Sequence, residues 1–208
     1  MLSTTLWFTH FMRSRNNPME DIKVKLREHI EKTIALTDEE FEYVQSHFTV
    51  KKYKKHQFLI QEGDSVKYSY YVVTGLLKLV HTDLSGKQHI IAFAMEDWWE
   101  SDFQAYLTQG KATLSLECLE DTEVLCILLE DYHKLCSGMQ KVAYFFLMKA
   151  NSGHVSSQRR IISLLTSNAK ERYEQFIKLY PVLVQRVPKT HLATFLGVSR
   201  ETLSRLSS

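Results

Sequence analysis

The sequence is poor in residues that break or crosslink a chain, with 3 prolines, 7 glycines and 3 cysteines among 208 residues. So little proline and glycine excludes a collagen-like repeat, and 44% hydrophobic residues exclude a disordered tail. Long apolar runs are also missing, since stretches such as 70–73 and 125–129 fall far short of the roughly 20 residues that span a bilayer. We therefore expect a globular protein of one large or two small domains, with no membrane partner.

The cysteines Cys118, Cys126 and Cys136 are odd in number and show no CxxC or Cys/His ligand spacing. We therefore expect neither a disulfide framework nor a zinc site. We expect reduced cysteines in a cytoplasmic protein. The short apolar patch at 6–8 has no leading positive region and no small-residue cleavage site, which argues against a secretory signal. Met19, followed by an acidic residue, offers an alternative start.

The net charge is small, but the charged residues are unevenly distributed along the chain. The formal net charge is +2, from 26 basic and 24 acidic residues. From Arg159 onward there are nine basic and three acidic residues, a net of +6, which leaves −4 for the preceding part. Such asymmetry is typical of a chain whose one end meets a nucleic acid or an anionic lipid, although an ordinary solvated face has the same signature.

The first two thirds read as helices followed by short strands. Thr37 is a candidate N-cap before three acidic residues. From His47 to Leu129, β-branched and aromatic runs alternate with turn residues at 8 to 12 residue spacing, which predicts a β-sandwich or barrel. Gly75 and Gly86 are expected in turns that need a positive φ, and neither belongs to a phosphate-loop pattern. A cupin-like metal enzyme is an alternative, but His81 and His89 lack the HxH spacing that it needs.

The segment between the halves favours one long helix. No proline interrupts residues 130–166, and apolar residues recur at helical spacing after Gly138. One small domain cannot cover a helix of that length, so we expect it to pair with its copy in a two-fold homodimer. The alternative is a helix that packs only within its own chain.

Residues 189–206, KTHLATFLGVSRETLSRL, have the spacing of a helix-turn-helix. Small Ala193 allows two helices to approach closely, and Gly197 is expected to end the first helix in a left-handed turn. Ser199 is a good N-cap for the second helix. Apolar Val198, Leu203 and Leu206 are expected to bury one side of it, so polar residues face outward.

The outward residues suit base recognition. Arginine bonds guanine in a bidentate manner and glutamate accepts from cytosine, so Arg200, Glu201 and Arg205 are the candidate base-reading residues. The alternative is that Glu201 and Arg205 form only a surface ion pair. The remaining candidate DNA-binding residues, assigned mainly to the phosphates, are Ser199, Thr202, Lys189, Thr190 and Thr194.

The stretch GVSRETLSRL closely resembles the recognition segment of the Crp/Fnr superfamily of bacterial transcription regulators, where a G-x-S-R-E-T-x-x-R pattern is characteristic. Upstream, QEGD, YYVVTGLLKLV, DLSGKQHIIAF and LEDTEVLCI resemble strands of that family's cyclic-nucleotide-binding β-roll. The resemblance covers roughly 36–206. It implies an α+β protein with an eight-stranded, jelly-roll-like β-roll, a long dimerisation helix and a C-terminal winged helix-turn-helix. It also implies a homodimer on a pseudo-palindromic DNA operator, with RNA polymerase as a partner if the protein is an activator.

The ligand pocket departs from the family pattern. Cyclic-AMP-binding members carry a Gly-Glu pair and then an Arg-Ser pair, where this sequence has 99–102 and 111–113. The phosphate arginine is absent, and Lys111 offers only a point charge. Aromatic residues replace the adenine-contacting hydroxyls on the long helix. These changes favour a different small-molecule effector or none, and the tentative effector-pocket residues are Trp98, Trp99, Glu100, Ser101, Asp102, Lys111, Thr113, Phe145 and Phe146.

We predict an N-terminal extension over 1–19, a sensor domain over 20–137, a dimerisation helix over 138–166 and a DNA-binding domain over 167–208. We expect no enzyme activity, no cofactor and no catalytic or metal-binding residue, and the cysteine-rich N-terminus of iron–sulfur members is missing. Relatives usually continue past the last helix, so either the chain is truncated at Ser208 or the wing lies around 181–187. A regulatory module that acts on a protein partner is the alternative function.

Overall fold

The computed structural model describes residues 18–206, a body of strands followed by a run of helices. The expected N-terminal extension lies almost entirely outside these residues. The strands within them are β1 (Phe48–Tyr53), β2 (Phe58–Ile60), β3 (Tyr68–Thr74), β4 (Leu77–Thr82), β5 (Gln88–Ala94), β6 (Trp99–Glu100), β7 (Ser115–Cys118) and β8 (Thr122–Leu128). The helices of the same residues are α1 (Pro18–Glu31), α2 (Asp38–Gln45), α3 (Phe103–Thr108), α4 (Leu129–Gly138), α5 (Gln140–Thr166), α6 (Ala169–Leu179), α7 (Pro181–Arg186), α8 (Lys189–Leu196) and α9 (Arg200–Leu206).

The strands form two four-stranded antiparallel sheets, which together we call the β-roll. The first sheet has the order β1-β8-β3-β6, and the second has the order β2-β7-β4-β5. The predicted strand-rich body is confirmed, including positive φ angles at Gly75 (107°) and Gly86 (82°). Gly75 also has no room for a side chain, because a Cβ there would lie 2.4 Å from the Thr122 hydroxyl oxygen.

Alternation along β3 sends side chains into two separate apolar clusters. Tyr70 and Val72 belong to the inner cluster, which fills the space between the two sheets. Tyr71 and Val73 belong to the helix-side cluster, which α1, α2, α4 and the start of α5 build on the outer face of the first sheet. A strand buried on both faces needs the continuous apolar run that β3 has.

A third group, the junction cluster, joins the outer face of the second sheet to the C-terminal helices. Its buried residues from the β-roll are Leu76, Val80, Ile90, Phe93 and Leu119. Its buried residues from the helices are Phe176, Leu183, Val187, Leu192, Ala193, Leu196 and Leu203. The helices are therefore packed directly onto the sheet.

The expected helical elements are largely confirmed. Thr37 caps α2 with a complete capping box, in which its hydroxyl accepts from the Glu40 N–H and the Glu40 carboxylate accepts from the Thr37 N–H. The predicted long helix is α5, with 27 residues and a length of about 40 Å at 1.5 Å per residue. No helix among residues 18–206 is long and apolar enough to cross a membrane.

The placement of a wing around 181–187 is wrong. Pro181 occupies the first turn of α7, where its missing N–H costs no hydrogen bond, and the helix runs to Arg186. All the regular structure of residues 129–206 is helical. Gly197 ends α8 with a φ of 67°, so the left-handed turn of the helix-turn-helix is confirmed.

Candidate nucleic-acid interface and effector site

The exposed side of α9 holds the three predicted base-reading residues. Arg200, Glu201 and Arg205 are exposed and line one open concave surface with Ser204. On the opposite side Leu203 is 1% exposed and anchors the helix in the junction cluster. No ion pair within 4 Å joins Glu201 to Arg205, both of which the structure describes. The helix therefore presents two cations and an anion side by side.

The start of α9 is fixed by its cap. The Ser199 hydroxyl accepts from the Thr202 N–H at 3.1 Å and lies 3.1 Å from the Thr202 hydroxyl. The pKa of the Glu201 carboxyl is held below its ordinary value, first by its own backbone N–H and then by the Ser199 hydroxyl. Ser199 thus serves the helix first, and Glu201 is an anion that can accept hydrogen bonds at neutral pH.

The expected phosphate contacts on α8 are also on the surface. Lys189, Thr190 and Thr194 are exposed, while Leu192 and Ala193 between them are buried. The Thr194 hydroxyl donates to the Thr190 carbonyl at 3.1 Å, which leaves its oxygen free to accept only. Seven of the eight predicted DNA-binding residues therefore lie on the consecutive helices α8 and α9, and Ser199 lies in the turn between them.

Part of the basic end faces inward. Arg160 donates to the carbonyl oxygens of Ile90 at 3.0 Å and of Phe195 at 2.9 Å, and it stacks over the Phe195 ring at 3.6 Å. Burial lowers its pKa to about 10. Arg172 donates to the Leu196 carbonyl at 2.9 Å, at the end of α8. Because Arg160 and Arg172 form hydrogen bonds within the chain, a count of basic residues overstates the positive charge that the C-terminal segment presents to a partner.

The sequence also gave no role to Arg186, which bonds to Glu96 and Glu120 of the β-roll. One signal was available. Arg186 stands three residues after Leu183 and therefore shares its buried helix face.

The two tryptophans of the tentative effector pocket lie on opposite sides of the chain. The Trp98 ring packs edge-on against Tyr180 at 5.7 Å, towards the C-terminal helices. Trp99 packs in the helix-side cluster, 5.6 Å from the ring of Phe146, and its indole N–H donates to His29 Nε2 at 3.1 Å. Phe145 and Phe146 are buried in the same cluster. Trp98 packs against the inner and junction clusters, whereas Trp99, Phe145 and Phe146 belong to the helix-side cluster.

The carboxyl of Glu100, another predicted pocket residue, is buried, and its described hydrogen-bond partner is a backbone N–H. It pairs with Tyr70 across β6 and β3, so it shares the face that looks into the β-roll. Burial raises its pKa to about 7, opposed only by the Ser101 N–H, which donates to the carboxylate at 3.0 Å. The group is therefore part neutral and part ionised at physiological pH.

Asp102 acts as a brace. Its carboxylate caps α3 by accepting from the Ala105 N–H at 3.1 Å. It also accepts from the N–H and the hydroxyl of Thr113, at 2.8 and 3.1 Å, and from the Leu114 N–H at 3.1 Å. This buried carboxylate ties α3 to the start of β7. The neighbouring Ser101 hydroxyl donates to the Tyr68 carbonyl.

Lys111 is exposed, and its ammonium lies 3.4 Å from the Ser65 hydroxyl. The tentative pocket residues thus fall into several surroundings: two apolar clusters, the β-roll interior, a brace and the surface. Neighbours such as Trp99 and Glu100 face opposite ways because successive residues of a strand point to opposite faces of the sheet.

The long helix carries an uncovered apolar surface. Its first part is buried through Val142, Phe145 and Phe146. Further along, large apolar side chains are exposed, from Val155 at 42% to Leu165 at 79%. The exposed apolar residues of α5 are Tyr144, Leu147, Met148, Val155, Ile161, Ile162, Leu164 and Leu165. So large an exposed apolar surface is typical of an interface.

Metal-binding chemistry is not apparent in the described part of the chain. No group of three or more His, Cys, Asp or Glu residues among residues 18–206 is placed to hold a metal ion.

Comparison with known proteins places the chain among regulators. Residues 50–138 match the family of the cyclic nucleotide-binding domain. The cyclic AMP receptor protein of Thermus thermophilus is 25% identical over 176 residues, which are 83% of this chain and 81% of that protein. The crystal structure of the Thermus thermophilus catabolite activator protein matches with a TM-score of 0.51 at 25% identity, over 83% of each chain. FixK2 from Bradyrhizobium japonicum has a TM-score of 0.64 at 20% identity, over 77% of this chain and 82% of FixK2. The chain is therefore similar to the cyclic AMP receptor protein over most of its length, and its residues 50–138 match the cyclic nucleotide-binding domain.

Proposed function

We propose that the protein is a homodimeric, DNA-binding transcription regulator of the Crp/Fnr type. The observation that carries this proposal is the geometry of α8 and α9. One side of this helix pair is buried in the junction cluster, and the other side presents Arg200, Glu201 and Arg205 to solvent. A recognition helix with such a face fits the major groove of double-stranded DNA.

The dimer rests on α5. Its exposed apolar residues would be covered if the helix paired with its copy about a two-fold axis. A two-fold dimer presents two α9 helices to the two halves of a pseudo-palindromic operator. RNA polymerase would be a further partner if the protein activates transcription.

The effector domain belongs to the cyclic nucleotide-binding family, but we propose that it does not respond to cyclic AMP. No arginine stands near Glu100 in sequence to hold a cyclic phosphate, and Lys111 lies on the surface beside Ser65. The aromatic residues of the predicted pocket are packed in apolar clusters. A different small molecule, or none, is the occupant that we propose.

Selection of bound fragments from genomic DNA with the full-length dimer tests the proposal. We expect one pseudo-palindromic operator to be enriched. On that operator, Arg200→Ala and Arg205→Ala should each reduce discrimination between bases by about 1–3 kcal/mol. Arg159→Ala is the matched control, since it removes an exposed arginine from α5 and should leave base preference unchanged.

The slope of affinity with salt gives a second measurement. Lys189→Gln should weaken all sequences alike and reduce the slope by about one, as expected for one lost phosphate contact. If both arginine variants keep the full specificity of the original protein, the recognition helix is assigned wrongly. A slope near zero for the original protein would instead favour a protein partner.

A further inference from the structure

The C-terminal helices share their apolar core with the β-roll. Helix α8 packs on β5, and the Phe93 ring of β5 lies 5.1 Å from the ring of Phe195 on α8. Phe195 in turn lies 5.4 Å from Phe176 on α6. The second sheet therefore supplies one wall of the core on which the helix-turn-helix rests.

Arg186 of α7 fastens this contact with five hydrogen bonds to the β-roll. Its Nε and Nη2 donate to the two carboxylate oxygens of Glu120, at 3.1 and 2.7 Å. Its Nη1 and Nη2 donate to the two oxygens of Glu96, at 2.6 and 3.1 Å. Nη2 also lies 3.0 Å from the Gly75 carbonyl oxygen, so its two hydrogens are shared among three acceptors. One guanidinium thus makes a bidentate contact to each of two carboxylates.

The five bonds reach three different turns of the β-roll. Gly75 lies between β3 and β4, Glu96 between β5 and β6, and Glu120 between β7 and β8. Glu96 also accepts from the Gly75 N–H at 2.8 Å, so the turns are joined to each other. We call Arg186, Glu96, Glu120 and Gly75 the clamp. Because three turns converge on it, the clamp fixes both the position and the direction of α7.

The pKa shifts of the clamp residues also indicate an ionic contact. Partial burial works against ionisation of Glu96, but the Arg186 guanidinium and the backbone N–H groups of Glu96 and Gly75 together lower the pKa of that carboxyl. The two carboxylates in turn raise the pKa of Arg186 above its ordinary value. Each of these two shifts favours the charged form, and Arg186 bridges Glu96 and Glu120 in one ion-pair network.

The clamp adjoins the strand that carries Glu100. Glu96 and Trp98 contact the C-terminal helices, through Arg186 and Tyr180. Between them, Asp97 accepts from Lys32 of α1 at 2.7 Å. The segment 96–99 thus contacts the C-terminal helices on one side and α1 on the other.

We propose that Arg186 is a positioning residue for DNA binding, which holds α8 and α9 in a fixed direction on the sensor of the same chain. It follows that DNA affinity depends on Glu96 and Glu120, which lie in the β-roll and not in either DNA-facing helix. A dimer must place two recognition helices about 34 Å apart, and fixing each one beforehand removes the cost of ordering it on DNA. This inference rests on the proposed function.

The test measures affinity of the full-length dimer for its selected operator. Arg186→Gln and the double variant Glu96→Gln/Glu120→Gln should each weaken binding about tenfold, within the range for residues of one ion-pair network. The triple variant, which combines Arg186→Gln with the double variant, should bind the operator no more weakly than either, because each of them already removes the same ion-pair network. The slope of affinity with salt should stay unchanged, since no phosphate contact is lost.

The double variant separates positioning from simple electrostatics. Removing two negative charges would by itself tighten binding to a polyanion. Equal or tighter binding by this variant would therefore overturn the proposal, and so would a slope that falls by about one in Arg186→Gln, which would make Arg186 a phosphate contact. Arg159→Gln controls for the lost positive charge and should retain affinity within about twofold.

Two milder variants keep the test usable if those above do not fold. Arg186→Lys keeps the charge but not the bidentate contacts, and we expect a loss of about threefold. Glu96→Gln alone leaves Glu120 in place and should give a similar loss. Full affinity in both would contradict positioning. If the original protein selects no operator at all, the proposed function fails, which is a different result from a clamp variant that binds normally.

Discussion

The β-roll and the C-terminal helices differ in how they obtain a core. The inner and helix-side clusters are built from residues between Ile22 and Phe146, all within the β-roll and the helices around it. The buried residues of α6 to α9 instead belong to the junction cluster, which includes five residues of the β-roll. A segment of about 40 residues rarely buries enough surface to fold alone. The β-roll and the helices around it thus build two apolar clusters of their own, whereas α6 to α9 complete theirs with residues of the β-roll.

The largest expected effects come from replacing one buried phenylalanine in the helix-side cluster and one in the junction cluster. Phe145 is 0% exposed in the helix-side cluster, and Phe93 is 4% exposed in the junction cluster. Each change to alanine should cost about 3–5 kcal/mol, since it combines lost burial with a cavity. We expect Phe145→Ala to lower the free energy of unfolding of the whole chain in urea.

Phe93→Ala should act mainly on the helices. Hydrogen exchange should increase in α8 and α9 and much less in β3, and operator binding should be lost. If instead β3 loses protection as strongly as α8, the two regions form one cooperative unit and the contrast fails.

The pH dependence of stability provides a smaller effect inside the sensor. The pKa of Glu100 is raised from 4.5 to about 7 by burial, so the folded chain holds this proton more tightly than the unfolded chain. Stability from this group is complete below pH 4.5 and is lost as the pH rises towards and past 7, by about 3 kcal/mol in all. Glu100→Gln cannot ionise and should remove that loss.

Urea unfolding of both proteins at pH 5 and pH 8 checks this expectation. Glu100→Gln should be the more stable protein at pH 8, with a smaller difference at pH 5. Parallel pH profiles of the two proteins would mean that Glu100 is solvated when folded, contrary to its burial.

The smallest expected effect concerns cyclic AMP. Calorimetric titration of the full-length dimer with cyclic AMP or cyclic GMP should show no binding at micromolar concentration, because the phosphate arginine is missing and Lys111 is at the surface. Melting temperature and operator affinity should be unchanged by the nucleotide. Micromolar binding would show that the sensor keeps the ligand of its family and would overturn that part of the proposal.

Local patterns in the sequence predicted the elements well. Short β-branched runs between turn residues gave most strands, and Gly197 gave the turn between α8 and α9. The pairing of strands into two sheets was not available from spacing, since register depends on contacts far apart in the chain. Helix α3 was missed, although Asp102 is a typical cap residue at its start.

The site was predicted unevenly for a physical reason. The predicted DNA-binding residues lie on α8, on α9 and in the turn between them, so helical spacing was enough to group them. Arg186 depends on clamp partners that lie 66 to 111 residues away, and the predicted effector residues depend on partners across a sheet. A charge count could not separate Arg186, which binds carboxylates, from Arg200, which faces solvent.

Arg186 contacts residues that lie far before it in the sequence, which affects the order of folding. Its partners Glu120, Glu96 and Gly75 precede it by 66, 90 and 111 residues. On a ribosome the β-roll is synthesised first, and its helix-side cluster is complete once Phe146 has emerged. Contacts between distant parts of a chain form late because closing long loops is entropically costly. Helices α8 and α9 are therefore expected to dock last, onto a β-roll that is already formed, so the proposed DNA-binding helices of a nascent chain would be fixed in place only after the β-roll had folded.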